Sequence, residues 1–272
     1  MLEALQFEFM RNALFAGILA SITCGVIGTF IVVNRMVFIS GGIAHAAYGG
    51  VGLAFFFGLS PTLGILGFSL LVSVFMAAIS FKAKHRADTI IGVLWAVGMA
   101  LGILLLDVTP GYNVDLMSYL FGSILTVPTS DLWLMLVLNC LIVLTISYLY
   151  HDLAALSYDE EFARARGVPV KVIYFLLMAM IALSVVMIIQ VVGLILIIAL
   201  LTISPYIAEK FSRSLIEMMF YSVLLNFLFM LVGLWVSYSF NLTSGASIIM
   251  VGAVFFFISL ILERLRPKRG IY

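Results

Sequence analysis

His45 lies inside a long apolar run, VFISGGIAHAAYGGVGLAFFF. An ionisable side chain in such surroundings is costly, so it is expected to face a cavity or a partner. A neutral imidazole suits Zn²⁺, Mn²⁺ or Fe²⁺. The plainer reading is a histidine hydrogen-bonded to a neighbouring helix. Helical spacing puts Gly41, Tyr48, Gly49 and Gly52 on the face of His45. One histidine alone makes a sparse ligand set, completed by water or carbonyls, which suits transient contact. Tyr48, Asp88 and Pro205 are the remaining candidates for a pathway or gate. Asp88 precedes Thr89 and either caps a helix or adds charge to an ion path. Pro205 follows Ser204 and marks a kink. Asn139 and Asn226 sit in apolar runs and are expected to bond across helices. Cys24 and Cys140 have no CxxC spacing and read as buried small apolar groups. No GxxxxGK[ST], HExxH or GxSxG occurs, so no ATPase or hydrolase activity and no bound cofactor are expected of this chain.

A second cluster lies in HDLAALSYDEEFARARGVPVK, residues 151–171. Ser157 is placed to cap a short helix whose first turn carries Asp159, Glu160 and Glu161, where the helix dipole favours anions. Arg164 and Arg166 fall in its last turn. Gly167 suits a left-handed terminator, and Pro169 prevents continuation. An amphipathic surface helix results.

The elements that hold these groups follow from composition. Of 272 residues, 64% are hydrophobic and 10% charged, and mean hydropathy is +1.25. Soluble domains carry roughly 25% charged residues. The fold class is therefore all-α and polytopic, with the lipid bilayer as solvent and one membrane domain over residues 1–272 (spanning core 13–262). A net charge of +1 offers nothing to nucleic acid. Spans of roughly 20 apolar residues are read at Ala13–Val33, Val37–Phe57, Thr62–Phe81, Thr89–Leu106, Leu132–Tyr150, Val172–Ile189, Val191–Ala208, Glu217–Ser239 and Ser244–Leu262. That makes nine. Only Gln190 separates the sixth from the seventh, and eight is the alternative. Under nine spans, thirteen of the 14 basic residues share one side and Arg11 stands alone on the other. The positive-inside rule then puts the C-terminus in the cytoplasm. Leu2–Arg11 is expected as an outer interfacial helix. Leu116–Val127, too short to span, reads as a re-entrant or interfacial outer segment. Gly98 and Gly102 form a GxxxG pair.

Several blocks resemble the permease subunits of zinc, manganese and iron ABC importers, the ZnuB type. They are the run from Cys24 to Ala54, ADTIIGVLWAVGMALGILL, SYLFGSIL, Tyr158 to Ala208 through VVGLILIIALLTISPYIA, and Ser244–Ala246. Glu161, Ala163 and Gly167 are similar to the EAAxxxG pattern of ABC importer permeases, whose helix couples to an ATPase. The resemblance implies a homodimer in the inner (cytoplasmic) cell membrane and a separate ATPase subunit that binds the ATP. It also implies an extracytoplasmic metal-binding protein, with zinc put first among the three metals. Many members carry Asp four residues before the histidine, where this chain has Gly41. An Arg common before the VVG block is Gln190 here. The competing readings are a self-sufficient secondary transporter or channel, which has no use for a docking helix, and an intramembrane enzyme, for which His45 lacks a partner.

Overall fold

The computed structural model describes residues 6–82, 87–110, 122, 124–194 and 197–265; these form helices and no strands. The helices are α1 (Glu8–Val33), α2 (Val37–Ala46), α3 (Tyr48–Phe57), α4 (Pro61–Lys82), α5 (Ala87–Asp107) and α6 (Thr129–Tyr148). Then follow α7 (Tyr150–Tyr158), α8 (Glu160–Ala165), α9 (Val170–Val192), α10 (Ile197–Glu209), α11 (Leu215–Phe240) and α12 (Ser244–Leu265). Counting α2 and α3 as one rod, eight stretches among the described residues are long and apolar enough to cross a bilayer. The chain is a polytopic all-α membrane protein.

Burial ranks the helices. Within its most apolar stretch of 18 residues, 83% of the residues of the Val37–Phe57 rod are buried and 67% of those of α1 and α9, against 22% in α5. Glycines let the rod occupy the centre. Lipid supplies no hydrophobic drive between helices, so close backbone approach must provide the contact. A Cβ on Gly49 would stand 2.9 Å from the Gly98 carbonyl, and one on Gly52 2.5 Å from that of Gly102. The GxxxG pair thus presses α5 onto the rod. On the rod's other side, Gly50 and Gly64 back onto each other's carbonyls and seat α4. Asn139 of α6 donates to the Leu19 carbonyl (2.6 Å) and to Thr23 Oγ1 (3.1 Å) of α1, as its place in an apolar run requires. Asn226, expected to do the same, is fully buried in α11 with no partner among the described residues.

The largest departure from expectation is the seventh crossing. α9 begins at the basic end of the bundle, where Tyr174 lines a cavity with Arg35. α10 ends there too: its Tyr206 lines a cleft with Arg35, and Lys210 Nζ, just beyond the helix, pairs with Glu263 of α12 at 2.7 Å. The chain therefore goes across and returns, but the return helix has only 13 residues, not the span Val191–Ala208. At roughly 1.5 Å per residue it is about 20 Å long, short of the ~30 Å hydrocarbon thickness. Val191 and Val192 belong to α9, which Gly193 ends at φ 77°. Irregular backbone at this depth is tolerated inside protein, and Gly193 and Leu194 are buried.

Smaller corrections have local causes. The residues from Glu8 onward join α1, so that part of Leu2–Arg11 is no separate surface helix; residues 1–5 lie outside the described residues. Of the expected outer segment, Leu116–Phe121 and Ser123 lie outside them as well, and Ile124–Thr126 form one 3-10 turn. Cys24 is buried, but Cys140 is on the exposed face of α6.

Candidate functional site

A cleft of about 1000 Å³ opens among the basic-end parts of α1, α2 and α5 and the flanks of α10 and α12. Arg35 and Asp88 supply its charge, Thr202 and Tyr206 its hydroxyls, and Phe38 and Ile198 part of its apolar wall. His45 lines no part of the cleft, and Phe38 is joined to it only through a tryptophan. The Phe38 ring centroid is 6.1 Å from that of Trp95, and Trp95 stacks on His45 at 4.2 Å with the planes 8° apart. Trp95 Nε1 donates to Met99 Sδ at 3.1 Å, which fixes the indole. His45 is half-buried, with one ring face covered by Trp95 and its nitrogens at the ring edge. Among the described residues, no three His, Cys, Asp or Glu lie close enough together to hold a metal ion. Gly49 and Gly52, on the His45 side of the rod, open no cavity; the Gly98 and Gly102 backbone of α5 and the Phe68 ring of α4 fill that space. At Gly41 a Cβ would meet Ile198 Cδ1 at 2.7 Å, so the place of a carboxylate is taken by an aliphatic side chain.

The other candidates separate. Asp88 is exposed in the first turn of α5 and lines both the cleft and a neighbouring cavity of about 320 Å³. Tyr48 is 2% exposed, packed against Gly102, and lines no part of the cleft. Pro205 is buried within α10. A proline has no N–H for the carbonyl four residues back, which leaves that of Leu201 free. Gly28 of α1 sits there, where a Cβ would be 2.5 Å from the Leu201 oxygen and 2.9 Å from Pro205 Cγ. The proline thus fixes how α10 leans on α1, one residue from the cleft-lining Tyr206. Lys210 sits 4.5 Å over the Tyr206 ring and ties α10 to α12.

The surface helix α8 stands at the basic end. Its cap is Asp159, not Ser157: Asp159 Oδ1 accepts from the Phe162 N–H at 2.9 Å. Ser157 lies inside α7, where its hydroxyl donates to the Leu153 carbonyl. The far end is a full glycine terminator. Gly167, at φ 81°, donates to the Arg164 carbonyl and Val168 to that of Ala163, both at 3.0 Å. Ala163 is fully buried and anchors the helix. Glu161, Phe162, Arg166 and Gly167 are exposed, with the Arg166 guanidinium 5.7 Å from the Phe162 ring centroid.

Comparison with known proteins gives this architecture its place. The sequence pattern of the ABC 3 transport family matches residues 6–263. The chain belongs to the ABC 3 transport family. An uncharacterized membrane protein of Synechocystis sp. is 52% identical over 97% of this chain and 94% of its own. The manganese import system permease protein ScaB of Streptococcus parasanguinis is 36% identical over 93% of this chain and 90% of its own. Among solved structures, PsaBC from Streptococcus pneumoniae in complex with Fab matches with TM-score 0.85 and 36% identity, covering 95% of this chain and 93% of that one. The ScaB name states manganese; zinc, put first from the sequence, gains no support from these relatives.

Two groups in this family member escaped the sequence reading. Trp95 was seen only as part of a span, although tryptophan belongs at membrane interfaces and its place well inside α5 was a signal. Arg35 reads in the sequence as half of the short Asn34-Arg35 joint between the first two spans and as a basic charge, not as the wall of a cavity. It follows the cap of α1 at φ 56°, where glycine or asparagine is usual. A left-handed residue with a side chain costs about 1–2 kcal/mol.

Proposed function

We propose that this chain is the permease subunit of an ATP-binding-cassette importer that moves a divalent transition metal, manganese first, into the cytoplasm. The observation that carries the reading is α8, a six-residue helix closed at both ends that exposes Glu161, Phe162 and Arg166 at the end of the bundle. In this reading Glu161, Ala163 and Gly167 form the coupling site for a separate ATPase subunit, which binds the ATP. An extracytoplasmic metal-binding protein delivers the ion, and two copies of the chain form the working unit. The basic end is the cytoplasmic one. His45 meets the ion in transit, and the cleft with Asp88 conducts it onward. The single imidazole supports brief contact, since a closed four-ligand site would hold the ion. Similarity to a permease of a manganese import system supports the metal.

Manganese uptake into vesicles tests it, with the chain, the ATPase and the loaded binding protein present and with each left out in turn. Uptake should require all three. His45→Ala should cut uptake at least tenfold while the ATPase still co-purifies. Uptake undiminished without the ATPase would identify a self-sufficient secondary transporter instead.

A further inference from the structure

The joint between α1 and α2 is tied to the docking segment. Asn34 Nδ2 donates to the Phe30 carbonyl and to Ser157 Oγ of α7, each at 2.9 Å. Both amide hydrogens are thus used, and Ser157 passes its own to the Leu153 carbonyl at 2.7 Å. Ser157 stands two residues before Asp159, the cap of α8, and Asp159 N–H donates back to Ala155 of α7. A push on α8 therefore moves α7, and with it the hydroxyl that holds Asn34.

The next residue is Arg35, whose N–H donates to the Val32 carbonyl at 3.0 Å, while that of Met36 donates to Ile31 at 2.8 Å. This pair of bonds ends α1 and holds Arg35 left-handed at φ 56°. A non-glycine residue kept in that region points to a use for its side chain. Arg35 and Asp88 line the cavity of about 320 Å³ that Glu160 of α8 also lines, and both line the cleft of about 1000 Å³. The joint is shared by the docking side and the pathway side. A few terminal residues that absorb a φ change are what a hinge consists of.

We propose that the Asn34–Arg35 joint is the positioning element that carries movement of the docking helix to the mouth of the cleft. The Ser157–Asn34 hydrogen bond is its link, and Arg35, which shares both cavities with Asp88, is the charge it moves. The inference rests on the proposed function and names the residues through which docking would act.

The test uses the chain with its ATPase in proteoliposomes, with manganese-loaded binding protein outside. Ser157→Ala removes the link without touching the exposed face of α8. The ATPase should still co-purify and hydrolyse ATP at its unstimulated rate, while stimulation by the loaded binding protein falls about fivefold, the net worth of one hydrogen bond. Ser157→Thr keeps the hydroxyl and should restore it. Arg35→Gly suits the left-handed backbone, so thermal stability should hold or rise while stimulated uptake falls. Parental stimulation in Ser157→Ala, or a Ser157→Thr no better than Ser157→Ala, would overturn the relay. Parental uptake in Arg35→Gly would show that the residue only ends α1 and would overturn its part. A parental chain that itself failed to co-purify with the ATPase would overturn the proposed function and the relay with it.

Discussion

Aspartate at position 41 would place a carboxylate one helical turn before His45 and on the same face. Its Cβ would stand 2.7 Å from Ile198 Cδ1 and 3.1 Å from Cγ1. The obstacle is the end of a side chain, half-buried on the wall of an open cleft. Overpacking a filled core costs about 1–3 kcal/mol. Ile198 has the cleft to turn into, so Gly41→Asp should cost ~1 kcal/mol, near the lower bound. Adding Ile198→Ala should relieve the contact, with a coupling energy of at least about 0.5 kcal/mol in a double-mutant cycle. The gain lies in ligand binding. Manganese at one hundred times its dissociation constant stabilises a bound protein by about 2.7 kcal/mol. The assay is thermal unfolding of the purified protein with manganese, and with magnesium as control. The double variant should gain most from manganese, Gly41→Asp less, and the parental chain, with one imidazole, least. Vesicle uptake should fall as the hold tightens, because an ion bound more strongly leaves more slowly. If the double variant and the parental chain respond to manganese alike, position 41 and His45 do not share a face open to the ion, and the proposed path is wrong.

Three further outcomes follow from the geometry. Gly167→Pro sets φ near −65° where the backbone needs 81° and removes the N–H donated to Arg164; ATPase co-purification and uptake should both drop. Asn139→Leu removes the amide bonds to Leu19 and Thr23; unfolding in detergent should show a loss of about 0.6 kcal/mol, and no more than ~1.7. With Cys24 and Cys140 replaced, cysteines introduced at Glu8 and Glu263 should react with an impermeant thiol reagent from opposite sides of the membrane. Labelling from one side would mean that α10 does not complete its crossing.

The helix of the candidate docking site is legible in the sequence because its signals are local. The α8 helix could be read from charge order and terminator chemistry, which depend on residues within a turn of one another. The sequence misplaced only the cap, since Ser157 and Asp159 are equally good acceptors and the choice depends on where α7 stops. His45 stood out for its chemistry alone. The path around it did not, because the stacking of Trp95 on His45 and the filling of the Gly41 side by Ile198 join residues far apart in the chain.

Composition and apolar run length determine that this chain lives in lipid, since only helices satisfy their own backbone there. They also give nearly every span, because spanning depends on transfer of single segments from water to hydrocarbon, and the sorting of basic residues between the loops predicts the sidedness. The tertiary structure decided the rest. Whether residues 191–208 form a full span depends on the left-handed Gly193 and on whether irregular backbone finds protein around it rather than lipid. Which helix lies at the centre depends on glycines meeting carbonyls of other helices, as Gly49 and Gly52 meet α5. Arg35 counts as one positive charge in the sequence; its left-handed backbone and its place on two cavities arise only when α1, α2, α5 and α8 are brought together. Hydropathy is summed along the chain, whereas close backbone approach and shared cavities depend on pairs of distant segments, and no single segment encodes them.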